Sequence, residues 1–461
     1  CAVGERTHGH GGVQEGRGMS RNRTFSTRFA GPWSDRELRA RIAVKAEPLK
    51  GLTALGPQEA AIRLESSLKT VVVPTAQLVV ALRQLIERAK AYCDRAYAND
   101  VAVRNLMYGT SLSSGLDNCQ ATCLTGLAGI GKSVLFDAFC RVFSDSEFMD
   151  MPGHARLELR ACWRMTIKGR AGFSNLVHPH FRDQSLVSPS RMLGFSVSEA
   201  AAQGIALILP DEFQFITSGH ANAMMANLLF RLTQIGPPVI YACNFSMLHA
   251  LWKRPQQDRD RLLLNPIVLH PEQIGVDWTA TAQGCLDVAE EFSLLNNEGD
   301  IRLLHDYTFG IKRSLRSLLV LAYLEMRREK QTRVTSSHLS KAYGSDKYSA
   351  MRDDVENLVQ GAVTPSLLRK DLTCPFRIAV VAPTAKNVVE HPSAHSHAAN
   401  ATHAAMISML DPDMQKLVKA LDSQGPPPPP PKPKAHRRPP VSAENLLGGA
   451  DRFAARDKKD P

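Results

Sequence analysis

Eight residues constrain this chain more than any others: Gly126-Leu-Ala-Gly-Ile-Gly-Lys132-Ser133 fits G-x-x-x-x-G-K-[ST], the phosphate-binding loop pattern. The pattern has meaning only between a strand and a helix. Ala121-Thr-Cys-Leu-Thr125 reads as a short buried strand entering the loop. Val134, Leu135, Ala138, Phe139, Val142 and Phe143 then recur at helical spacing, which predicts a helix over Lys132 to Phe143. Gly126, Gly129 and Gly131 let backbone N–H groups turn inward where a Cβ would obstruct them. With Leu127, Ala128, Ile130 and Val134 they form the expected cradle for ATP. Lys132 is placed for the β- and γ-phosphates, Ser133 for Mg²⁺, and the helix N-terminus points at the anion.

A second element should be an acidic residue ending an apolar strand, and Ile205-Ala-Leu-Ile-Leu-Pro-Asp211-Glu212 supplies it. Asp211 is expected to hold Mg²⁺ directly or through water, and Glu212 to polarise the attacking water. Pro210 removes a ladder donor, which its place late in the run should limit. Pro238-Val-Ile-Tyr-Ala-Cys-Asn244 reads as another buried strand, ending in an amide able to position a water without carrying charge. A post-strand turn is the commoner fate of such an Asn. Between these strands, Ala223 to Thr233 has helical periodicity.

Trp252-Lys-Arg254-Pro-Gln-Gln-Asp-Arg259-Asp-Arg261 precedes one more apolar strand, about Pro266 to Leu269, and Phe309-Gly310-Ile-Lys-Arg313-Ser-Leu-Arg316 opens an amphipathic helix. In this order the segments resemble the AAA+ ATPases: Walker A, Walker B, a sensor-1 Asn, an arginine-finger region and a sensor-2 Arg. That resemblance implies ATP sites shared between subunits, with Arg261 as first choice for the arginine supplied to the neighbour and Arg259 and Arg254 behind it. Arg313 stands where the family's G-x-x-R falls, and Arg316 lies one turn further along.

A narrower resemblance rests on Asp211-Glu-Phe-Gln214, Ile240-Tyr-Ala-Cys-Asn-Phe-Ser246, Arg254 to Arg261 and Val334-Thr-Ser-Ser-His-Leu-Ser-Lys-Ala-Tyr343. These segments look like those of transposition-regulator ATPases of the TnsC/TniB group, over roughly residues 70 to 360. The resemblance implies a homo-oligomer, ring or helical filament, that binds duplex DNA and links it to a transposase and target-selection proteins. Other DNA-handling AAA+ ATPases, such as helicase loaders or repair motors, share much of the pattern. A STAND-type signalling NTPase shares the loop but ordinarily carries long repeats after its lid.

Composition agrees with a globular α/β chain: of 461 residues, 44% are apolar and 22% charged. The net charge of +11 favours a polyanionic partner. Arg164, Lys168, Arg170 and Arg182 lie between the loop helix and the acidic strand, and are expected on loops facing a DNA channel. Aromatics are only 6%, so phosphate contact is favoured over base stacking. The nine cysteines are scattered without metal-ligand spacing and read as reduced, which suits the cytoplasm. No run has transmembrane length, so no membrane partner is expected. His391, His395, His397 and His403 sit among Ala, Ser and Asn with no scaffold for a metal.

The expected organisation has five parts: a disordered segment 1–30, with Met19 a natural start; a helical region 31–115; the P-loop NTPase (AAA+) domain 116–275, a parallel sheet flanked by helices; a helical lid 276–362; and a Pro-rich basic tail 363–461. The tail holds two islands, Ala405 to Leu421 and Ala443 to Arg456, readable as docking peptides.

Overall fold

The computed structural model describes residues 24–109, 121–144, 147–151, 156–167, 172–183, 187–212, 221–363 and 368–376. The chain opens with α1 (Thr24–Thr27), α2 (Asp35–Ile42), α3 (Pro57–Thr70), α4 (Ala76–Ala96) and α5 (Asp100–Tyr108). Then come β1 (Thr122–Gly126), α6 (Lys132–Val142), β2 (Glu147–Met149), β3 (Leu157–Leu159), β4 (Cys162–Thr166), α7 (Phe173–Val177), α8 (Met192–Ala202) and β5 (Leu207–Asp211). The α/β part closes with α9 (Ala221–Thr233), β6 (Ile240–Cys243), α10 (Phe245–Trp252), α11 (Gln256–Leu262) and β7 (Ile267–Leu269). Five more helices follow: α12 (Val276–Val288), α13 (Glu298–Asp306), α14 (Lys312–Arg328), α15 (Ser336–Gly344) and α16 (Ser349–Val363).

β1 pairs in parallel with β6 on one side and β7 on the other, and β4 pairs in parallel with β5. The Ile208–Val239 bridge joins the two groups, so the strands run β7-β1-β6-β5-β4. A separate antiparallel hairpin, β2 with β3, flanks them. Side chains alternate along each strand. Leu124, Leu207, Leu209, Ile240 and Ala242 face a core with α4 and α6, whereas Cys123, Trp163, Met165, Ile208, Tyr241 and Cys243 face one with α7, α9 and α10. Both faces of the sheet are therefore covered, which is why its strands read as continuous apolar runs.

Pro210 lies inside β5, opposite Met165, rather than beyond the strand. Its effect falls on the other edge. The Ile208 N–H donates to the Pro238 carbonyl at 3.0 Å. Two residues on, along the same edge, Pro210 has no N–H to continue the ladder toward β6. A bridge replaces a ladder there.

The expected helical region 31–115 contributes to two cores. α2, α4 and α5 pack on the sheet domain, while Ala60, Leu64 and Leu68 of α3 pack with Trp278, Leu315, Leu318 and Tyr323 of the later helices. Arg327 of α14 fastens this arrangement by donating to the carbonyls of Leu52 (3.1 Å) and Leu55 (2.9 Å).

Both outer boundaries move. Residues 24–30 are ordered, with Phe25 and Phe29 fully buried against Tyr97, Phe139 and Phe143. Aromatic pairs of this size outweigh the polar, Arg-rich context that suggested disorder. After α16 the chain returns to the sheet domain: Leu372 and Cys374 are buried, and Phe376 meets Trp252 edge-on at 5.3 Å. The remaining tail with its two islands lies outside the described residues, as do residues 1–23.

The turn before α14 fixes how the last helices meet the sheet domain. Gly310 has φ +69°, and a Cβ there would overlap the Glu272 carbonyl. The Glu272 N–H donates to the Gly310 carbonyl at 3.2 Å. Gly310→Ala should lower stability by about 2 kcal/mol or more, combining left-handed strain with the overlap. Urea unfolding of the purified variant measures this; a midpoint equal to the parent's would show that the turn relaxes freely.

Candidate nucleotide site

The carboxyl ends of β1, β5 and β6 and the start of α14 converge at one edge of the sheet. The loop leaves β1 at Gly126 (φ +154°) and turns through Gly129 (φ +78°) and Gly131 (φ +121°) into α6. Only glycine adopts this sequence of dihedrals freely. Gly126 also has no room for a side chain, since a Cβ would lie 2.6 Å from the Leu269 carbonyl oxygen. Lys132 folds back under the loop and its Nζ donates to the carbonyls of Gly126 and Leu127, each at 2.9 Å. The side chain is buried, and burial lowers its pKa to about 8 against the partial relief offered by Cys243 and Asp211.

Asp211 ends β5, buried, and accepts the Glu212 N–H at 2.9 Å. Glu212 holds φ +61°, uncommon for a residue with a Cβ. Such strain, kept in place by the preceding strand and the Asp211 contact, is typical of functional positions. Asn244 ends β6 at the start of α10, and its side chain makes no capping hydrogen bond, leaving the amide available to the site.

Arg313 is brought onto the loop itself. Its N–H donates to the Gly129 carbonyl at 3.2 Å, and a Cβ on Gly129 would overlap Arg313 Cβ. Arg316 points elsewhere, donating to the Val71 carbonyl at 3.1 Å. Arg261 is not part of this cluster. Its carbonyl accepts the Ala121 N–H at 3.1 Å, ahead of β1, and its guanidinium lies 6.0 Å from the Phe230 ring. β1 separates that point from the loop by roughly 16 Å at 3.3 Å per residue.

The sequence pattern predicts Arg164 on a channel-facing loop. It lies instead on β4, with its Nη2 2.9 Å from Asp211 and 3.3 Å from Asp137 of α6. The register that sets Thr166 opposite Asp211 places it there, and the short Cys162–Thr166 strand with its arginine in the middle hid that register from a sequence reading. Its Nη1 is buried with no protein partner. Arg182 is held by Glu199 at 2.7 Å, while Lys168 and Arg170 lie outside the described residues.

The donor set fits a triphosphate: a loop of inward backbone donors, a buried ammonium, a lid arginine, and an unpartnered guanidinium nitrogen. It also fits Mg²⁺ held by Ser133 and Asp211. Both Asp211 oxygens already accept a protein hydrogen bond, but each keeps a second lone pair, which favours contact through water. Groups of three or more His, Cys, Asp or Glu arranged to hold a metal by themselves are absent among the described residues. No helix of the described residues is long and apolar enough to cross a membrane.

No protein-family model and no curated protein matches this sequence. Among solved structures, the chain is similar to Cdc6p from Pyrobaculum aerophilum, at 14% identity over 57% of this chain and 72% of that one, with a TM-score of 0.34. It is similar to a Walker-type ATPase of Pyrococcus abyssi at 15% identity over 55% and 74%, with a TM-score of 0.35. It is also similar to the Thermotoga maritima RuvB Holliday junction branch migration motor at 9% identity over 57% and 78%, with a TM-score of 0.30. At such scores the likeness carries no argument about function, which rests on the site's own geometry.

Lys132 gives the site a pH signature. Its folded-state pKa, about 8, lies below the ordinary lysine value of 10.5, so the folded protein loses this proton first. Its contribution to stability therefore rises with pH across that interval. Phosphate binding needs the charged form, so ATP affinity should fall above about pH 8, by up to about tenfold per pH unit. Titration with a fluorescent ATP analogue at several pH values checks this; affinity that stays flat above pH 8 would show the ammonium keeps its proton.

Proposed function

We propose that this chain is an ATPase of the AAA+ type that assembles as a homo-oligomer on duplex DNA and regulates transposition, linking target DNA to a transposase. The observation that carries the ATPase reading is the docking of the start of α14 on the phosphate loop: the Arg313 main-chain N–H donates to the Gly129 carbonyl, and the Arg313 side chain lies against Gly129. Four segments far apart in sequence, carrying Lys132, Asp211 with Glu212, Asn244 and Arg313, then serve one anionic substrate. The placement of β6 between β1 and the Asp211 strand supports it, because it aligns Asn244 between the loop and the acidic pair.

Bound Mg²⁺ would neutralise developing phosphate charge. The chain's own residues do the rest. Lys132 and the loop amides fix the phosphates. Glu212 accepts a proton from the attacking water while Asn244 orients it. Arg313 reports the bound state to the lid, since moving it moves α14. Arg261, at the far end of β1 from its own loop, would serve a neighbour's site rather than its own.

Glu212→Gln keeps shape but cannot take the proton. It should bind ATP at parent affinity, hydrolyse it on the order of 10²-fold or more slowly, and accumulate the assembled state. Parent-rate hydrolysis would remove Glu212 from the mechanism. Arg261→Ala and Lys132→Ala proteins should each be inactive alone. Mixed together they should regain part of the activity, whereas a fully active monomer would exclude shared sites.

The DNA and transposition reading is supported by the net charge of +11, by the Arg254–Arg261 and Val334–Tyr343 segments, and by the basic residues Lys168, Arg170 and Arg182. Arg164, engaged with Asp211, belongs with the nucleotide site instead. Duplex binding should be independent of sequence and lose affinity with salt at about −0.9 in log K per phosphate neutralised. Replacing Lys168 and Arg170 by Ala should lower that slope at unchanged ATP affinity. If deleting residues 425–461 abolishes DNA binding while the double variant binds normally, the contact lies in the tail. Complex formation with the transposase only in the presence of ATP and target DNA tests the transposition step.

A further inference from the structure

Among the described residues two cysteine pairs lie within van der Waals reach, and they differ in access. Cys123 and Cys243 sit on adjacent strands with sulfurs 3.4 Å apart, both wholly buried. Cys140 of α6 and Cys162 of β4 have sulfurs 3.5 Å apart and are both half-buried. The second pair faces the charged part of the nucleotide site. Arg164 is two residues beyond Cys162, hence on the same face of β4, and Asp137, its ion-pair partner, is one turn before Cys140 on α6.

We propose that Cys140 and Cys162 form a peroxide-sensitive dithiol, a modification site that ties the phosphate-loop helix to the strand carrying Arg164. Cys140 is the attacking thiol. Either sulfur can donate across this contact; with the Cys162 S–H as donor the Cys140 thiolate is favoured, Arg164 acts in the same direction, and Cys162 is itself pushed up. A low-pKa, accessible thiol beside a second one is the arrangement that oxidises selectively.

The steps balance with a hydroperoxide as oxidant. The Cys140 thiolate attacks the peroxide; the S–O bond forms, the O–O bond breaks, and the leaving hydroxide takes up a proton as water. The Cys162 sulfur then attacks the sulfenic sulfur. The S–S bond forms, the S–O bond breaks, and hydroxide leaves with the Cys162 proton as a second water. One hydrogen peroxide and two thiols give one disulfide and two waters. A disulfide needs sulfurs about 2.05 Å apart, so the pair closes by roughly 1.5 Å. Reversible disulfides of this kind suit a reducing compartment, where they are transient rather than structural.

Closure adds a covalent tie between α6 and β4 beside the Arg164–Asp137 ion pair. Arg164 is then held against Asp211, so turnover slows. That last consequence rests on the ATPase reading; the chemistry of the pair does not. The full-length protein is treated with stoichiometric hydrogen peroxide and the products are mapped by peptide mass spectrometry. Expected is a Cys140–Cys162 crosslink, reversed by dithiothreitol. Cys162→Ser should leave Cys140 as a sulfenic acid trapped by dimedone, and Cys140→Ser should yield neither crosslink nor adduct. ATP hydrolysis should fall severalfold in the oxidised parent, return on reduction, and stay unchanged in Cys140→Ser. A crosslink at Cys123–Cys243 instead, no crosslink at all, or dimedone capture at Cys162 would overturn the assignment. Undiminished hydrolysis by fully crosslinked protein would overturn its control of the site. Protein that crosslinks as expected but never hydrolyses ATP would keep the dithiol and remove the ATPase reading.

Discussion

The Glu272 carboxylate decides where the last five helices stand. It is buried in the segment after β7, and its Oε1 takes the Lys312 ammonium at 3.2 Å and the Gln77 amide at 2.7 Å. Its carbonyl meets His305 at 2.9 Å, and its N–H reaches the Gly310 carbonyl. One residue thus binds α4, α13 and the start of α14. A buried charge is tolerated only when its partners are complete, and these are. Lys312 and Arg313 are neighbours in sequence, so anchoring the first sets the second onto the phosphate loop. The lid arginine is placed by a contact made outside the site.

The site is strongly cationic at its base. Lys132, Arg164 and Arg313 converge near two carboxylates, of which Asp211 is already paired. A polyanion brought here meets prepared donors, and the pairing of Arg164 with Asp211 keeps the acidic strand neutralised meanwhile. A direct pair at 2.9 Å in a poorly solvated position is stronger than its surface equivalents.

Much of this was legible in the sequence because the relevant signals are local. The loop glycines, the β1, β5, β6 and β7 runs, and the Gly310–Arg313 spacing all fall where the chain pattern puts them. What escaped depended on pairing between distant segments. Arg164 looked like a basic loop residue because its strand is short and interrupted by charge; only the register against β5 brings it to Asp211. The division of the N-terminal helices between two cores was likewise hidden, since amphipathic periodicity says that a face is buried but not against what. Phe25, Leu372 and Cys374 are isolated apolar residues in polar surroundings, and nothing short of the folded neighbours reveals their burial.

Pro210 has a mechanical meaning. Hydrogen-bond ladders hold β6, β1 and β7 together and β4 and β5 together, but the two groups meet through one bridge and through side chains. The sheet is therefore two plates with a seam. Lys132, Ser133 and Asn244 ride on one plate; Arg164, Asp211 and Glu212 ride on the other. Backbone ladders resist sliding, whereas apolar packing tolerates small shear without loss of burial. The two plates are joined by a single backbone bridge and by apolar packing, so the spacing between Asp211 and Glu212 on one and Lys132 and Ser133 on the other is a property of a joint rather than of any single side chain.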